Sequence, residues 1–457
     1  MADLGVPNSD TDTPPALVAP VSMAEEGWPS AGRAWWHVIV LTTAYVVSFV
    51  DRTIISLLVE PIKADLGISD TEIALLQGLA FGLCYALMGF PLGWMADRWS
   101  RRTLIGAGST LWGVATAWCG TAGSFVHLFL ARVGVGIGEA SLSPAALSTI
   151  SDLFPRDKRG LPIGLYTMAV SLGSGLALIL GGAALAWITT LPPTPLPYFG
   201  VLAPWRMAFV AVGLGGAVLL LFLLATVREP RRRTAPLANQ SASSDSIMRY
   251  MLEHRRFFGR HYAGVALYSI LVSGVLSWAP TLFIRRFGWN AGEVGLYYGM
   301  LFLVFGGLGT IIGGALSSVL QRRGVKGAPV WIAGWGVALV TPFMVIAGFT
   351  DNASLALWCF APALMFFTSP GATAVQAIQD ATPGHLRGRS AAVYSFAVTI
   401  IGMTVGPLIV AFFTDAVFGD PMAIGKALAL TAALCAPLSG ALILWGVRPF
   451  EQTSEGL

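Results

Sequence analysis

The chain has 457 residues, of which 55% are hydrophobic and only 11% charged. Soluble domains carry about a quarter charged residues, so the composition argues against a soluble enzyme and for a polytopic membrane protein. The net charge of +4 comes from basic residues dispersed over short loops, which leaves no basic face for nucleic acid.

Residues 1–33 are rich in Pro, Ala, Asp and Glu without an apolar signal region, and read as a disordered cytoplasmic tail. A hydropathy window then predicts helices over 35–60, 72–96, 103–122, 124–152, 160–188 and 205–227, which form an N-terminal half over 34–227. A hydrophilic linker, 228–259, follows. It opens Arg228-Glu229-Pro230-Arg231-Arg232-Arg233, and its later part, with apolar Ile247, Met248, Tyr250 and Met251 among basic residues, reads as a short amphipathic helix on the membrane surface. The second half, 260–447, gives helices over 261–284, 292–321, 328–350, 353–379, 388–416 and 421–446, before a cytoplasmic tail at 448–457. The expected fold is all-α, with twelve transmembrane helices. With the N-terminus inside, 21 Lys and Arg fall on the cytoplasmic side and 5 outside, which places both termini in the cytoplasm of a plasma (inner) membrane.

The four cysteines, Cys84, Cys119, Cys359 and Cys435, lie in apolar runs without a close pair, so neither disulfide nor metal is implied. No phosphate loop, zinc-binding His-Glu-x-x-His or other catalytic motif occurs, so no enzyme activity and no cofactor are expected. Glycine is frequent inside the spans, as in Gly173-Ser174-Gly175, Gly181-Gly182 and Gly306-Gly307-Leu308-Gly309. Small residues let helix backbones approach closely in lipid, and the same glycines would permit bending or sliding.

Two motifs recur. Gly93-x-x-x-Asp97-Arg98-x-x-Arg101-Arg102 returns in weaker form as Gly314 to Arg322-Arg323, with Ser318 where Asp97 stood. Asp152-x-x-Pro155-x-x-x-Arg159-Gly160 returns as Asp380-x-x-Pro383-x-x-x-Arg387-Gly388. The offsets, 221 and 228 positions, mark an internally duplicated chain of two parallel six-helix halves. The loop motif resembles that between the second and third helices of major facilitator superfamily transporters. The resemblance implies that Gly93, Asp97, Arg98, Arg101, Arg102, Arg322 and Arg323 form a conformational lock on the cytoplasmic side, with Asp97 stabilising the outward-open state.

Ionisable residues within a bilayer cost at least a few kcal/mol, so those that occur face a cavity or one another and serve a function. Asp51 and Arg52 on the first helix, and Arg132 and Glu139 on the fourth, are such residues. The histidines fall at predicted helix ends or loops, which leaves Asp51 and Glu139 as the mid-membrane proton carriers of any proton-coupled cycle. Ser48-Phe49-Val50-Asp51-Arg52, the 93–102 loop, Arg132-Val133-Gly134-Val135-Gly136-Ile137-Gly138-Glu139-Ala140-Ser141 and Asp152-Leu153-Phe154-Pro155 together resemble the spinster branch of the superfamily, in a bacterial-type homologue. That resemblance implies transport of a lysophospholipid or sphingosine-1-phosphate-like lipid, with Asp51 and Glu139 in proton coupling and Arg52 and Arg132 in substrate binding.

The expected substrate is thus a small amphipathic anion carried by a monomer, with small organic anions or drugs as the alternative cargo. Arginine suits a phosphate or carboxylate head group. Tyr268, Trp278, Tyr297, Tyr298, Phe302, Phe366 and Phe367 are candidates for an oily wall in the second half. Substrate access from the bilayer is expected between the fifth and eighth helices.

Overall fold

The computed structural model describes residues 27–155, 158–190, 195–196, 200–233, 247–384 and 386–455. The expected tail over 1–26, the middle of the linker at 234–246, Arg156 and His385 lie outside the described residues.

Twelve long helices are present among the described residues. In chain order they are α1 (Ala31–Leu57), α2 (Asp70–Ala96), α3 (Arg101–Cys119), α4 (Phe125–Leu153), α5 (Gly160–Ile188) and α6 (Pro204–Ala225). The second set is α7 (Arg255–Phe287), α8 (Ala291–Arg322), α9 (Ala328–Phe349), α10 (Ala353–Asp380), α11 (Arg387–Phe412, continued by a π-helical stretch Phe413–Phe418) and α12 (Ile424–Trp445). Among the described residues, eleven stretches are long and apolar enough to cross a membrane; α3, which opens on two arginines and is rich in Gly, Ser and Thr, is the exception.

The observed ends differ from the hydropathy ends where polar residues continue a helix beyond the apolar layer. α7 begins at Arg255 rather than 261, because Arg255, Arg256 and Arg260 extend the same helix. α1 stops at Leu57, and Val59–Leu66 forms a separate short helix closed by Gly67 at φ 66°. A two-residue antiparallel ribbon, Pro195–Leu196 with Gly200–Val201, joins α5 to α6. In the linker, a helix spans Ile247–Glu253 with Met251 buried and Met248 and Leu252 exposed.

The duplication read from the motifs appears in the packing: α1 lies on α5 as α7 lies on α11, α2 on α4 as α8 on α10, and α3 on α6 as α9 on α12. The halves meet along two seams, α5 with α8 and α2 with α11. In the first seam glycine is obligatory, since a Cβ on Gly182 would sit 2.5 Å from the Ala291 carbonyl oxygen and one on Gly295 would sit 2.4 Å from that of Leu178. Tight backbone contact of this kind is how helices associate where there is no water to exclude.

The molecule has a terminal face, carrying Gly27, the linker and Glu455, and an opposite, far face. The halves are fastened together at the far face. Arg285 at the end of α7 donates through Nη1 and Nη2 to Asp70 at 2.6 Å each and through Nε to Glu60 at 2.6 Å. Asp70 also accepts from Lys63 within its own half. Asp415 in turn accepts from the Thr71 backbone N–H at 2.8 Å and its hydroxyl at 2.7 Å. Towards the terminal face α5 and α8 part, and Gly164, Thr167 and Met168 face Gly307, Leu308 and Ile311 across a gap.

Candidate functional site

α1 and α4 run antiparallel, so Asp51 and Arg52, neighbours that point about 100° apart, can each meet one member of the pair that α4 presents nearly two turns apart. The structure joins them crosswise. Arg52 donates through Nε to Glu139 at 2.6 Å, and Ser48 donates its hydroxyl to the same Glu139 oxygen at 2.7 Å. Asp51 accepts from the Thr116 hydroxyl of α3 and lies 3.7 Å from Arg132 Nη1. All four charges sequence analysis singled out thus meet, two of each sign and with no formal excess.

The two pairs are unequal. The Arg52 guanidinium is caged by rings, with centroids at 4.6 Å for Tyr85, 4.9 Å for Phe81 and 5.2 Å for Phe49. Cation–π contact and the carboxylate together hold it in place. Arg132 is held more loosely: its distance to Asp51 exceeds hydrogen-bond length, and its Nε and Nη1 have no hydrogen-bond partner among the described residues.

Both arginines line a central cavity of about 260 Å³ between the halves, together with Gln77, Phe81, Ser273, Ser277 and Tyr298. A second, larger compartment of about 1050 Å³ adjoins it, and Phe49, Ser174 and Leu276 border both. Its wall is apolar and fills the gap between α5 and α8. Tyr268, Phe302 and Phe367 of the aromatic set line it, while Tyr298 lines the central cavity. The other three serve elsewhere: Trp278 is buried and donates to the Pro407 carbonyl at 3.0 Å, Tyr297 is half exposed, and Phe366 stacks on Phe343. Met168, Leu308 and Ile311 at the rim are 42, 42 and 62% exposed, so the compartment opens sideways at the molecular surface.

The 93–102 loop joins α2 to α3. Arg101 is its centre, fully buried, paired with Asp152 and donating to Glu229 at 2.9 Å, to Ser148 at 3.2 Å and to the Pro230 carbonyl at 2.9 Å. Arg232 donates to the carbonyls of Ala96 at 2.8 Å, Asp97 at 2.6 Å and Trp99, so the start of the linker is fastened to this loop. Burial raises the Glu229 pKa, but the Arg102 backbone N–H and the Arg101 side chain outweigh it and hold the carboxyl below the ordinary glutamate range.

The Asp97 carboxylate makes no hydrogen bond or ion pair among the described residues, and Gly93 faces Pro144. Arg98 lies on Trp94, and the Arg102, Arg322 and Arg323 side chains are exposed and make no ion pair among the described residues. In the second copy Gln321, not Arg322, reaches Asp380, at 3.2 Å. His261, expected at a helix end, is buried inside α7 beside the Ala374 carbonyl, since that helix starts earlier than hydropathy suggests. Sequence reading also missed Glu60, Asp70 and Arg285, which look like ordinary loop charges, and Gln77, a lone amide in an apolar run.

The sequence profile of the Major Facilitator Superfamily matches residues 41–407. An MFS-type efflux pump of Mycolicibacterium smegmatis is 32% identical over 90% of this chain and 92% of its own. Protein spinster of Drosophila melanogaster is 28% identical over 75% of this chain and 54% of its own. A solved bacterial homologue of the human lysosomal transporter spinster, in an inward-facing and unoccupied conformation, superposes with a TM-score of 0.77 at 25% identity, covering 93% of this chain and 98% of that one. With its duplicated six-helix halves, crosswise ion pairs and cavity between the halves, this chain belongs to the Major Facilitator Superfamily as a membrane transporter of the spinster type, a family of carriers and not of enzymes.

Proposed function

We propose that the protein is a proton-coupled carrier of an amphipathic anionic lipid, such as a lysophospholipid or a sphingosine-1-phosphate-like molecule, working by alternating access. The observation that carries this reading is the adjacency of a small cavity lined by two arginines to an apolar compartment, about four times larger and lined by no charged residue, that opens sideways. One charged head and one hydrocarbon chain need those two environments side by side, whereas a sugar needs many neutral hydrogen-bonding groups instead. The positive-inside bias supports a cytoplasmic terminal face in a plasma membrane, so that the closed far face corresponds to an inward-facing state.

Arg132 serves as the head-group anchor, because its donors are the less engaged. Asp51 and an anionic substrate then compete for the same guanidinium. Protonation of Asp51 releases Arg132 to the anion, which links the proton and the substrate in one loaded state. Glu139 and Arg52 provide the second exchangeable pair. Small organic anions or drugs are the alternative cargo, supported by the similarity to an efflux pump.

The test uses purified protein in liposomes with lysophosphatidic acid, sphingosine-1-phosphate and a panel of small organic anions, with and without an imposed pH gradient. Lysolipid should bind wild type and lose affinity in Arg132→Ala more than in Arg52→Ala. Equal affinity in all three would sink the anchor assignment, and no binding to wild type would sink the lipid reading.

A further inference from the structure

Gln77 stands on α2 within a π-helical stretch, Leu76–Leu83, whose widened turns leave the regular α-helical register. π-turns inside helices are frequent at functional sites, where the changed register re-aims a side chain. Here Gln77 lines the central cavity that Arg132 also lines. Gln77 is 8% exposed, and neither its Nε2 nor its Oε1 has a hydrogen-bond partner among the described residues. Across the cavity on α8, the Tyr298 hydroxyl is fully buried and equally unpartnered.

Buried amides and hydroxyls are nearly always hydrogen-bonded, because an unmade bond leaves the cost of desolvation uncompensated. Gln77 and Tyr298, from opposite halves, and Arg132, whose Nε and Nη1 atoms are also unbonded among the described residues, line one small cavity. A packing role does not account for them, since leucine and phenylalanine would fill the same space without that cost. An anion alone does not account for them either, because the guanidinium supplies donors only, while the Gln77 carbonyl requires a donor from the ligand.

We infer that Gln77 and Tyr298 form a neutral hydrogen-bonding subsite beside Arg132, which selects lipids carrying a hydroxyl or amide group next to the anionic head over anionic lipids that lack one. The inference rests on the anionic-lipid reading and narrows it. Because the two groups sit on different halves, the same hydroxyl or amide ties the halves to one ligand, and its recognition changes when the halves move.

The test compares oleoyl lysophosphatidic acid, which has a glycerol hydroxyl beside its phosphate, with oleyl phosphate, which has the same charge class and chain but no hydroxyl. Binding is measured on the full chain in nanodiscs for wild type, Gln77→Leu and Tyr298→Phe. Wild type should prefer the hydroxylated lipid by about tenfold, the factor that one well-made hydrogen bond supplies. Gln77→Leu should abolish the preference, and Tyr298→Phe should reduce it. Thermal stability of both variants should hold or rise, a result that a merely structural amide or hydroxyl would not give. Equal affinity of wild type for the two lipids, or a preference that survives both substitutions, overturns the subsite. Binding of neither lipid to wild type overturns the anionic-lipid reading and the subsite with it.

Discussion

Replacing Arg285 with Ala should shift the protein towards the state open at the far face. The arginine side chain is 4% exposed and joins the two halves through Asp70, which is 0% exposed, and through Glu60, which is 39% exposed. Removing one partner of a buried, hydrogen-bonded charge pair costs about 2–5 kcal/mol, and the more exposed Glu60 adds little to that. Lys63 remains on Asp70 and keeps its charge from being wholly orphaned, which points to the low end of the range. The contact exists only while the far face is closed, so the whole loss falls on that state. A loss of about 2 kcal/mol changes the ratio of the two states roughly thirtyfold, enough to bring a dominant closed state to parity. Spin labels on the α3–α4 and α9–α10 loops report the separation by pulsed dipolar spectroscopy. A second, longer distance should appear in Arg285→Ala and recede in Arg285→Lys, which keeps the charge but not the fork. Unchanged distance distributions in Arg285→Ala would refute the assignment of this cluster as the far-face clamp.

Asp51→Asn and Glu139→Gln should each insert normally but cut uptake driven by a pH gradient about tenfold, within the usual range of coupling energies; gradient dependence unchanged in both would reject proton coupling through these pairs. Gly307→Leu should obstruct the apolar compartment, because a Cβ there meets nothing within 4 Å. Displacing about three methylenes of ligand at ~0.8 kcal/mol each weakens long-chain lysolipid binding roughly fiftyfold and spares small anions, a split that binding isotherms can read. The lowered pKa of Glu229 gives its contact with Arg101 and Arg102 a defined pH window: the contribution is complete above the ordinary glutamate value near ~4.3 and is lost as pH falls through the lower bound-state value. A mobility label on Arg231 should therefore stay immobile at neutral pH in wild type and loosen in Glu229→Gln, and an immobile label in that variant would count against the contact. Asp97→Asn should favour the present closure of the far face, since the carboxylate is unengaged here and would act when α5 and α8 come together; double-label distances across the terminal face that do not change would argue otherwise.

Much of the architecture was legible because a bilayer imposes a length and a polarity on every crossing segment. Twelve runs of apolar residues therefore became twelve helices with ends shifted by a few positions, and the largest shift, at α7, came from arginines that a hydropathy window treats as loop. The four buried charges stood out for the same reason, since their cost in lipid makes each an anomaly. Their pairing did not, because adjacency on α1 and spacing on α4 leave more than one way to match them. Arg285 and Asp70 lie 215 residues apart, and no local pattern announces that one clamps the other. Gln77 was hidden by its register: a regular 3.6-residue period does not describe the face of a π-helical stretch. The Arg101 cluster was half legible, since its motif was clear, but the role of Glu229 depended on where the linker folds back.

The glycine contacts between α5 and α8 also have a mechanical consequence. They run from the middle of α5 and the near third of α8 towards the far face, so that if the halves rock about them each helix acts as a lever. From Gly175 to the start of α5 the arm is about 22 Å, and from Gly299 to the end of α8 it is about 34 Å at a rise of 1.5 Å per residue. A rotation of about 5° in each would move their tips by about 2 and 3 Å, opening the mouth by about 5 Å for almost no displacement at the pivot. The π-helical stretch Phe302–Gly306 sits at the root of the longer arm, where a joint alters the gape most. Crosslinkers of graded length between Gly164→Cys and Gly307→Cys would read that gape, and a spread of spans no wider than thermal jitter would show that the arms are not levers.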